Sequence, residues 1–218
     1  MSQTPSAFET IGRIGVVPVV TVESVEAALP LADALLEGGL PLVEVTFRTA
    51  AAAGVIEAIR RARPEMLVGA GTVVTAENLR SAIGSGAQFG VAPGLNPDIV
   101  AQANRGGLPF VPGICTPSEI ERAMALGCKL LKFFPSSVLG GAVTIAAMTA
   151  PYAHLGLKLM PSGGVTLDNM AIYLRTAMVV AVGATTIAKT DDIASGNWTE
   201  IRSRCRRVAA IVAEVRGG

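Results

Sequence analysis

The chain has 218 residues, of which 50% are apolar and 16% are charged, and its formal net charge is +1. This composition supplies enough apolar material for a sizeable core, in one large domain or two small ones. It argues against nucleic-acid binding, because no basic field interleaved with aromatic residues is present. It also argues against a membrane span, because no apolar run reaches about 18 residues.

The cysteines and the N-terminal residues favour a cytoplasmic location. Cys115, Cys128 and Cys205 are odd in number and widely spaced, so they show neither a disulfide framework nor the spacing of metal ligands. Residues 1–13 include Glu9 and lack the apolar region of a signal peptide. We therefore expect the chain to reside in a reducing compartment.

Apolar runs alternate with helical segments along the chain. The predicted strands are residues 15–20, 42–46, 67–72, 88–92, 109–114, 129–134, 158–162 and 179–183. The predicted helices are residues 6–12, 24–37, 50–61, 76–85, 96–104, 117–126, 143–150, 167–175 and 198–215. Strands that alternate with helices in this way form a parallel sheet.

Eight strand–helix units in a chain of this length predict a compact (β/α)8 TIM barrel. We expect a single domain over residues 1–218, with the short first helix ahead of the first strand. The competing architecture is an open doubly wound sheet, which is disfavoured because no Gly-x-Gly-x-x-Gly segment follows the first strand. In a TIM barrel the functional residues lie at the carboxyl ends of the strands.

A lysine stands inside the apolar strand predicted at 129–134. Strand side chains alternate, so Leu130, Lys132 and Phe134 share one face. Both faces of this strand are apolar, as expected for a covered parallel strand, and an ammonium there is costly unless it is paired or neutral. Burial favours the neutral amine, which is a nucleophile. The alternative is a lysine at the strand end whose ammonium extends to solvent.

The second predicted strand ends in polar residues at alternate positions, which lie on one face of the strand. Glu44 and Arg48 alternate with apolar neighbours, so Glu44 is predicted to point into the barrel, where Lys132 is its natural partner. The pair could instead be a purely structural ion pair. Arg48 could cap the next helix, and Thr72, at the end of the third strand, could be the N-cap of the helix that follows.

Glycine-rich turns follow the last two predicted strands. Gly163 and Gly164 precede a possible helix start, and Gly183 precedes hydroxyl side chains that include Thr185. Barrels frequently bind phosphate at this position through backbone N–H groups. Two such turns on consecutive strands therefore predict a phosphate site.

Seven segments together resemble one family, the class I 2-keto-3-deoxy-6-phosphogluconate (KDPG) and 4-hydroxy-2-oxoglutarate aldolases. The resemblance covers nearly the whole chain. Its segments are Pro18-Val19, Leu-Val-Glu44-Val-Thr-Phe-Arg48-Thr, Val-Gly-Ala-Gly-Thr72-Val, Ala-Pro93-Gly-Leu, Val-Pro-Gly-Ile-Cys-Thr-Pro, Leu-Lys132-Phe-Phe134-Pro and Pro-Ser-Gly163-Gly164-Val. It implies a (β/α)8 barrel that forms a homotrimer, needs no metal or other cofactor, and releases pyruvate and D-glyceraldehyde 3-phosphate from a phosphorylated 2-keto-3-deoxy sugar acid.

The resemblance also implies roles for individual residues. Lys132 is expected to form the Schiff base with the C2 ketone, and Glu44 to move protons as general acid and base. Arg48 and Thr72 are expected to hold the pyruvate carboxylate. The other residues implied to bind substrate, as apolar walls or as the phosphate side of the site, are Pro93, Phe134, Ser162, Gly163, Gly164, Gly183 and Thr185.

Three segments depart from the family pattern and leave the preferred substrate open. They are Ser136-Ser137-Val138 in place of Ala-Glu-Ala, Ser162 in place of Thr, and Ala184-Thr185-Thr186 in place of Gly-Ser-Trp. The C4 epimer of KDPG and 4-hydroxy-2-oxoglutarate are alternative substrates. The alternative functions are a non-covalent isomerase that uses Glu44 as base, and a sensor that binds a phosphorylated sugar acid without turnover. Lys189 and Cys115 are weaker candidates for a nucleophile than Lys132.

Overall fold

A computed structural model describes residues 6–217 of the chain. Its strands are β1 Val16–Val20, β2 Leu42–Thr46, β3 Leu67–Gly71, β4 Phe89–Val91, β5 Phe110–Val111, β6 Gly113–Ile114, β7 Leu130–Phe133, β8 Lys158–Leu159 and β9 Val182–Ala184. Its helices are α1 Ala7–Ile14, α2 Ala28–Glu37, α3 Ala52–Ala62, α4 Ala76–Gly84, α5 Pro97–Arg105, α6 Pro117–Ala125, α7 Gly141–Thr149, α8 Met170–Leu174, α9 Thr190–Ala194 and α10 Trp198–Gly217.

The strands form one parallel barrel that is built from two hydrogen-bonded sheets. One sheet has the order β5-β4-β3-β2-β1-β9 and the other β6-β7-β8. The sheets join on one side through Pro112, which separates β5 from β6 and whose carbonyl accepts from the backbone N–H of Lys132 at 2.9 Å. They join on the other side through the single bridges Leu159–Val179 and Ser162–Gly183. The predicted (β/α)8 barrel is confirmed.

Apolar side chains fill the lower half of the barrel interior, toward the amino ends of the strands. The interior cluster includes Leu42, Phe89, Leu130 and Met160, which are at most 2% exposed. Helix α1 lies across this end and adds Ile11, which is completely buried. A second, larger apolar layer lies between the strands and the surrounding helices. Because apolar side chains fill the lower interior, the polar residues that face the interior lie toward the carboxyl ends of the strands.

Side-chain caps set the start of several helices close to the preceding strands. Thr116 begins α6 with a capping box, in which its hydroxyl accepts from the backbone N–H of Glu119 while the Glu119 carboxylate accepts from the backbone N–H of Thr116. Thr75 and Asn96 cap α4 and α5 by the same kind of side-chain contact. Short strand-to-helix loops of this kind hold the site residues on rigid elements.

The observed elements differ from the predicted ones mainly near the last two strands. The helix predicted at 167–175 is only α8, because the Asn169 side chain accepts from the backbone N–H of Thr166 and donates to the carbonyl of Gly164, which holds a turn ahead of the helix. The strand predicted at 109–114 is interrupted at Pro112. Helix α9 was not predicted. No helix within residues 6–217 is long and apolar enough to cross a membrane.

Candidate active site

Lys132 and Glu44 lie next to each other inside the barrel. Lys132 is on β7 and Glu44 is on β2, and the lysine Nζ is 3.7 Å from the Glu44 Oε1. Glu44 is 0% exposed and Lys132 is 7% exposed. The ammonium therefore does not extend to bulk solvent, and the alternative of a lysine that reaches the surface is wrong.

The carboxylate of Glu44 has an unusual environment for a buried acid. Neither of its oxygens has a hydrogen-bond partner within residues 6–217, and 3.7 Å is too long for a hydrogen bond to Lys132. The nearest stretch of β3 leaves room for it, since a Cβ on Gly71 would collide with the carboxylate. A structural ion pair normally has its remaining lone pairs satisfied. These oxygens are instead free to bind a ligand or to exchange a proton.

A cavity of about 150 Å³ opens above this pair at the carboxyl end of the strands. All of the residues predicted to form the site line it, except Gly164. The lining consists of Val19, Thr21, Glu44, Thr46, Arg48, Thr72, Pro93, Lys132, Phe134, Ser162, Gly163, Gly183 and Thr185. The ring of Phe134 lies 5.2 Å from the lysine Nζ, which is within cation–π range.

Arg48 and Thr72 face the cavity and have no capping role. The N-cap residue of α3, Ala51, provides no side-chain hydrogen bond, and Arg48 lies outside that helix. The N-cap of α4 is Thr75, whose hydroxyl accepts from the backbone N–H of Asn78 at 3.0 Å. Both capping alternatives are therefore wrong. Thr72 has a φ of 58°, a left-handed conformation that is costly for a β-branched residue and is concentrated at functional sites.

The two glycine turns predicted to bind phosphate meet on one side of the cavity. Gly163 and Gly183 line it directly, while Gly164 lies just outside, with a φ of 79°. Within residues 6–217, the backbone N–H group of Gly164 has no acceptor. A bridge between Ser162 and Gly183 brings the two turns together. The buried hydroxyl of Ser162 also lacks a partner among the described residues.

Three lining residues were not predicted as part of the site: Val19, Thr21 and Thr46. The signal for Thr46 was present, because it shares the inward parity of Glu44 on β2. Thr21 follows β1 directly, at the carboxyl end where barrel sites form. Both are hydroxyl residues at strand ends, so position alone could have identified them.

The weaker nucleophile candidates lie outside the cavity. Lys189 is exposed and precedes α9. Burial, together with the hydrogen bond and charge of Glu119, raises the pKa of the Cys115 thiol, which disfavours the reactive thiolate. No group of three or more His, Cys, Asp or Glu side chains suited to a metal ion occurs within residues 6–217.

Comparisons with known proteins agree over nearly the whole chain. The family described as "Aldolase: KDPG and KHG aldolase" matches residues 9–204. The 2-dehydro-3-deoxy-phosphogluconate aldolase of Treponema pallidum is 42% identical over 205 residues, which are 94% of this chain and 97% of the relative. The KHG/KDPG aldolase of Escherichia coli K12 is 37% identical over 207 residues, which are 94% and 96% of the two chains.

A solved structure supports the same relationship. The KDPG aldolase of Legionella pneumophila was crystallised with pyruvate captured at low pH as a covalent carbinolamine intermediate. It aligns with a TM-score of 0.89 and 31% sequence identity, over 94% of this chain and 98% of that one.

Proposed function

The chain belongs to the KDPG and KHG aldolase family, and on this premise we propose that it is a class I aldolase that cleaves 2-keto-3-deoxy-6-phosphogluconate through a Schiff base on Lys132. The products are pyruvate and D-glyceraldehyde 3-phosphate. The observation that carries the proposal is the Lys132 amine, 3.7 Å from a buried carboxylate with no other partner among residues 6–217, at the base of a cavity. The covalent pyruvate intermediate in the Legionella pneumophila relative supports it.

The first step joins the enzyme to the substrate. Glu44 takes a proton from the ammonium, and the free amine of Lys132 attacks the C2 ketone to give a carbinolamine. Protonation of the carbinolamine hydroxyl by Glu44 releases water and leaves a protonated imine.

The second step breaks the C3–C4 bond. A base, Glu44 acting directly or through water, removes the proton of the C4 hydroxyl. The electron pair of the C3–C4 bond moves into the protonated imine, which becomes an enamine, and C4 leaves as the aldehyde. Protonation of the enamine at C3 and hydrolysis of the imine by water then release pyruvate and restore Lys132.

The remaining lining residues fit the two charged ends of the substrate. Arg48 supplies a cation and Thr72 a hydroxyl for the carboxylate of the pyruvate unit, and both face the cavity. Pro93 and Phe134 form apolar walls near the imine. The phosphate would lie against Gly163, Gly164, Gly183 and Thr185, where the N–H group of Gly164, which is free among the described residues, suits an anion.

Borohydride trapping tests the covalent step. Wild-type protein is incubated with pyruvate, reduced, and digested for peptide mass mapping. We expect one reduced pyruvate unit on Lys132, no adduct on Lys132→Met, and a normal adduct on the control Lys189→Met. A folded wild-type protein without an adduct would contradict the aldolase mechanism and favour a non-covalent isomerase or a sensor. An adduct on Lys189 would move the site.

The second candidate function is cleavage of 4-hydroxy-2-oxoglutarate, because the E. coli relative carries both substrates in its name. The backbone N–H group of Gly164, which is free among residues 6–217, favours a phosphorylated substrate. Pyruvate release coupled to lactate dehydrogenase measures each substrate and the C4 epimer of KDPG. We expect the highest kcat/KM for KDPG. A higher value for 4-hydroxy-2-oxoglutarate would assign the main substrate to the unphosphorylated compound.

We also propose a homotrimer of single-domain subunits in the cytoplasm. Val138, Val143 and Ile172 are 78%, 80% and 60% exposed and lie on or beside the packed helices α7 and α8, which suits burial against another copy. All three cysteines are free thiols, as in a reducing compartment. Light scattering should give three times the chain mass of 22.3 kDa, and Val143→Asp should lower it. A wild-type monomer would contradict the trimer.

A further inference from the structure

Two threonine hydroxyls form a direct hydrogen bond on the cavity wall. Thr21 follows β1, and Thr46 is the last residue of β2. The parallel register pairs Val19 with Glu44 and Val20 with Val45, so the next pair is Thr21 with Thr46. Their Oγ1 atoms are 2.9 Å apart. Both residues line the cavity, and the function proposed above gives neither of them a role.

The direction of this hydrogen bond follows from a third group. The Thr46 hydroxyl donates to the carbonyl oxygen of Val20 at 3.0 Å, and a carbonyl can only accept. A hydroxyl has a single proton, so Thr46 has none left for its neighbour. Thr21 must therefore donate to Thr46. Its own oxygen keeps its acceptor capacity, with no donor to it among residues 6–217.

Thr46 is a rigid support for this arrangement, because it is 3% exposed and bonded to the backbone of β1. It stands two residues beyond Glu44 on the same face of β2, which places it about 6–7 Å nearer the mouth of the barrel. The hydroxyl of Thr21 lies on the cavity side, since it is bonded to this inward-facing residue. The wall thus presents a fixed acceptor above the acid/base.

The strands on either side of β1 determine which part of a bound substrate lies near the Thr21 hydroxyl. β1 pairs with β2 on one side and with β9 on the other. Thr21 therefore lies between Glu44 on β2 and the Gly183 and Thr185 side of the cavity. In a substrate whose C2 is bonded to Lys132 and whose phosphate lies against the glycine turns, the atoms between these points carry the hydroxyls of C4 and C5.

We propose that Thr21 is a specificity-determining residue that accepts a hydrogen bond from the C5 hydroxyl of the substrate. This inference rests on the proposed aldolase function. The C4 hydroxyl is lower in the cavity, where Glu44 must remove its proton. The C5 hydroxyl belongs to the aldehyde product and has no other acceptor assigned to it. An acceptor held by Thr46 favours aldehydes with a hydroxyl next to the carbonyl carbon.

The test compares two aldehydes in the direction of carbon–carbon bond formation with pyruvate. One is D-glyceraldehyde 3-phosphate and the other is 3-phosphooxypropanal, which lacks only the hydroxyl that becomes the C5 hydroxyl. Wild type should prefer the first by about two- to tenfold in kcat/KM, as expected for one neutral hydrogen bond. Thr21→Val should reduce this ratio to about one, and Thr21→Ser, which keeps the hydroxyl, should restore it.

Thr49→Val is the matched control. Thr49 donates to the carbonyl of Val22 at 2.6 Å on the same side of β1 but does not line the cavity, so its loss should leave the ratio unchanged. A ratio of one in wild type, or an unchanged ratio in Thr21→Val, would overturn the proposal. Borohydride trapping of pyruvate separates this result from a failure of the aldolase function, because trapping should be equal in wild type and Thr21→Val. A wild type that traps no pyruvate would overturn both proposals.

Discussion

At the amino end of the barrel, α1 places Ile11 in one buried apolar cluster with Leu42, Phe89 and Leu130, and this part of the interior is apolar and filled. At the carboxyl end the interior contains Lys132 beside a carboxylate whose two oxygens have no hydrogen-bond partner among residues 6–217. One end of the barrel is therefore closed by apolar packing, and the other end contains buried polar atoms that have no hydrogen-bond partner within the described part of the chain.

The difference separates residues that stabilise the fold from residues available for chemistry. Apolar burial of the kind found around Ile11 contributes directly to the free energy of unfolding. A buried ion pair with unfilled lone pairs contributes little, because the loss of hydration offsets the attraction of the charges. Substitutions at the amino end should therefore lower stability and leave activity unchanged, whereas substitutions at the carboxyl end should lower activity and should lower stability only where they leave a buried charge unpaired. Four predictions follow in order of expected size.

The largest effect is expected for Lys132→Met. Removal of the amine prevents the Schiff base, so kcat/KM for KDPG cleavage should fall on the order of 10⁴- to 10⁶-fold. The variant leaves Glu44 buried without a cation, which should also destabilise the fold by about 3–5 kcal/mol in urea unfolding. The double variant Lys132→Met/Glu44→Leu should recover that stability without activity. Activity within tenfold of wild type would contradict the role of the lysine.

Glu44→Gln should have the next largest effect. Loss of a general acid and base lowers kcat by about 10²- to 10⁴-fold, while Lys132 remains able to attack pyruvate slowly. Stopped reactions with borohydride should show slower accumulation of the Lys132 adduct. If kcat and the rate of trapping are both unchanged, the proton is moved by another group.

Ile11→Ala tests the opposite end of the barrel. Truncation of this completely buried side chain should lower the free energy of unfolding by about 2–5 kcal/mol. Because Ile11 lies far from the cavity, kcat per folded molecule should match that of wild type. Urea unfolding gives the first quantity and the coupled pyruvate assay the second. A tenfold loss of kcat in the folded variant would show that the two ends are coupled.

The smallest effect is expected at the start of α1, where Ser6 and Glu9 form a capping box. Ser6→Ala should lower stability by about 1 kcal/mol at neutral pH. Hydrogen bonds from the backbone N–H of Ser6, and next from its side chain, lower the pKa of Glu9 from its ordinary value of 4.5. The contribution of Glu9 is therefore present above pH 4.5 and lost as the pH falls through the lowered pKa.

Measurement of stability as a function of pH tests the predicted direction of the Glu9 contribution. The difference in unfolding midpoint between wild type and Glu9→Gln should narrow in acid. A difference that stays constant from neutral pH down to pH 2, which is well below 4.5, would contradict the assigned hydrogen bonds.

The order of strands and helices in this fold was predictable from the sequence, and so was the proximity of Lys132 and Glu44. The alternation of apolar runs with helical segments predicted the barrel, because each pattern reflects the burial of one element. Lys132 and Glu44 were identified because a charged residue within an apolar run is rare enough to require an explanation. Their mutual distance also followed, since inward residues of a narrow barrel have few possible neighbours.

The features that were missed depend on contacts that no local pattern contains. Helix α9 has five residues, which are too few to show the helical periodicity of apolar residues. The late start of α8 depends on the Asn169 side chain, which competes with the helix for the backbone of Thr166. Thr21 is an ordinary strand-end threonine until its hydroxyl is seen beside that of Thr46. Such pairings require the register between two strands, which is a property of the folded sheet.

The weak hydrogen-bonded joint between β8 and β9 affects where the barrel opens locally. Among the described residues, only the bridges Leu159–Val179 and Ser162–Gly183 connect these neighbours, so the joint should open at a lower free energy than the ladder of β2 and β3. Ser162 and Gly183 stand on opposite sides of it and both face the cavity. A bound phosphorylated substrate would contact residues on both sides of this joint and would stabilise the joint in its closed state. Amide hydrogens along this joint would then exchange fastest in the empty enzyme and gain the most protection when ligand is added.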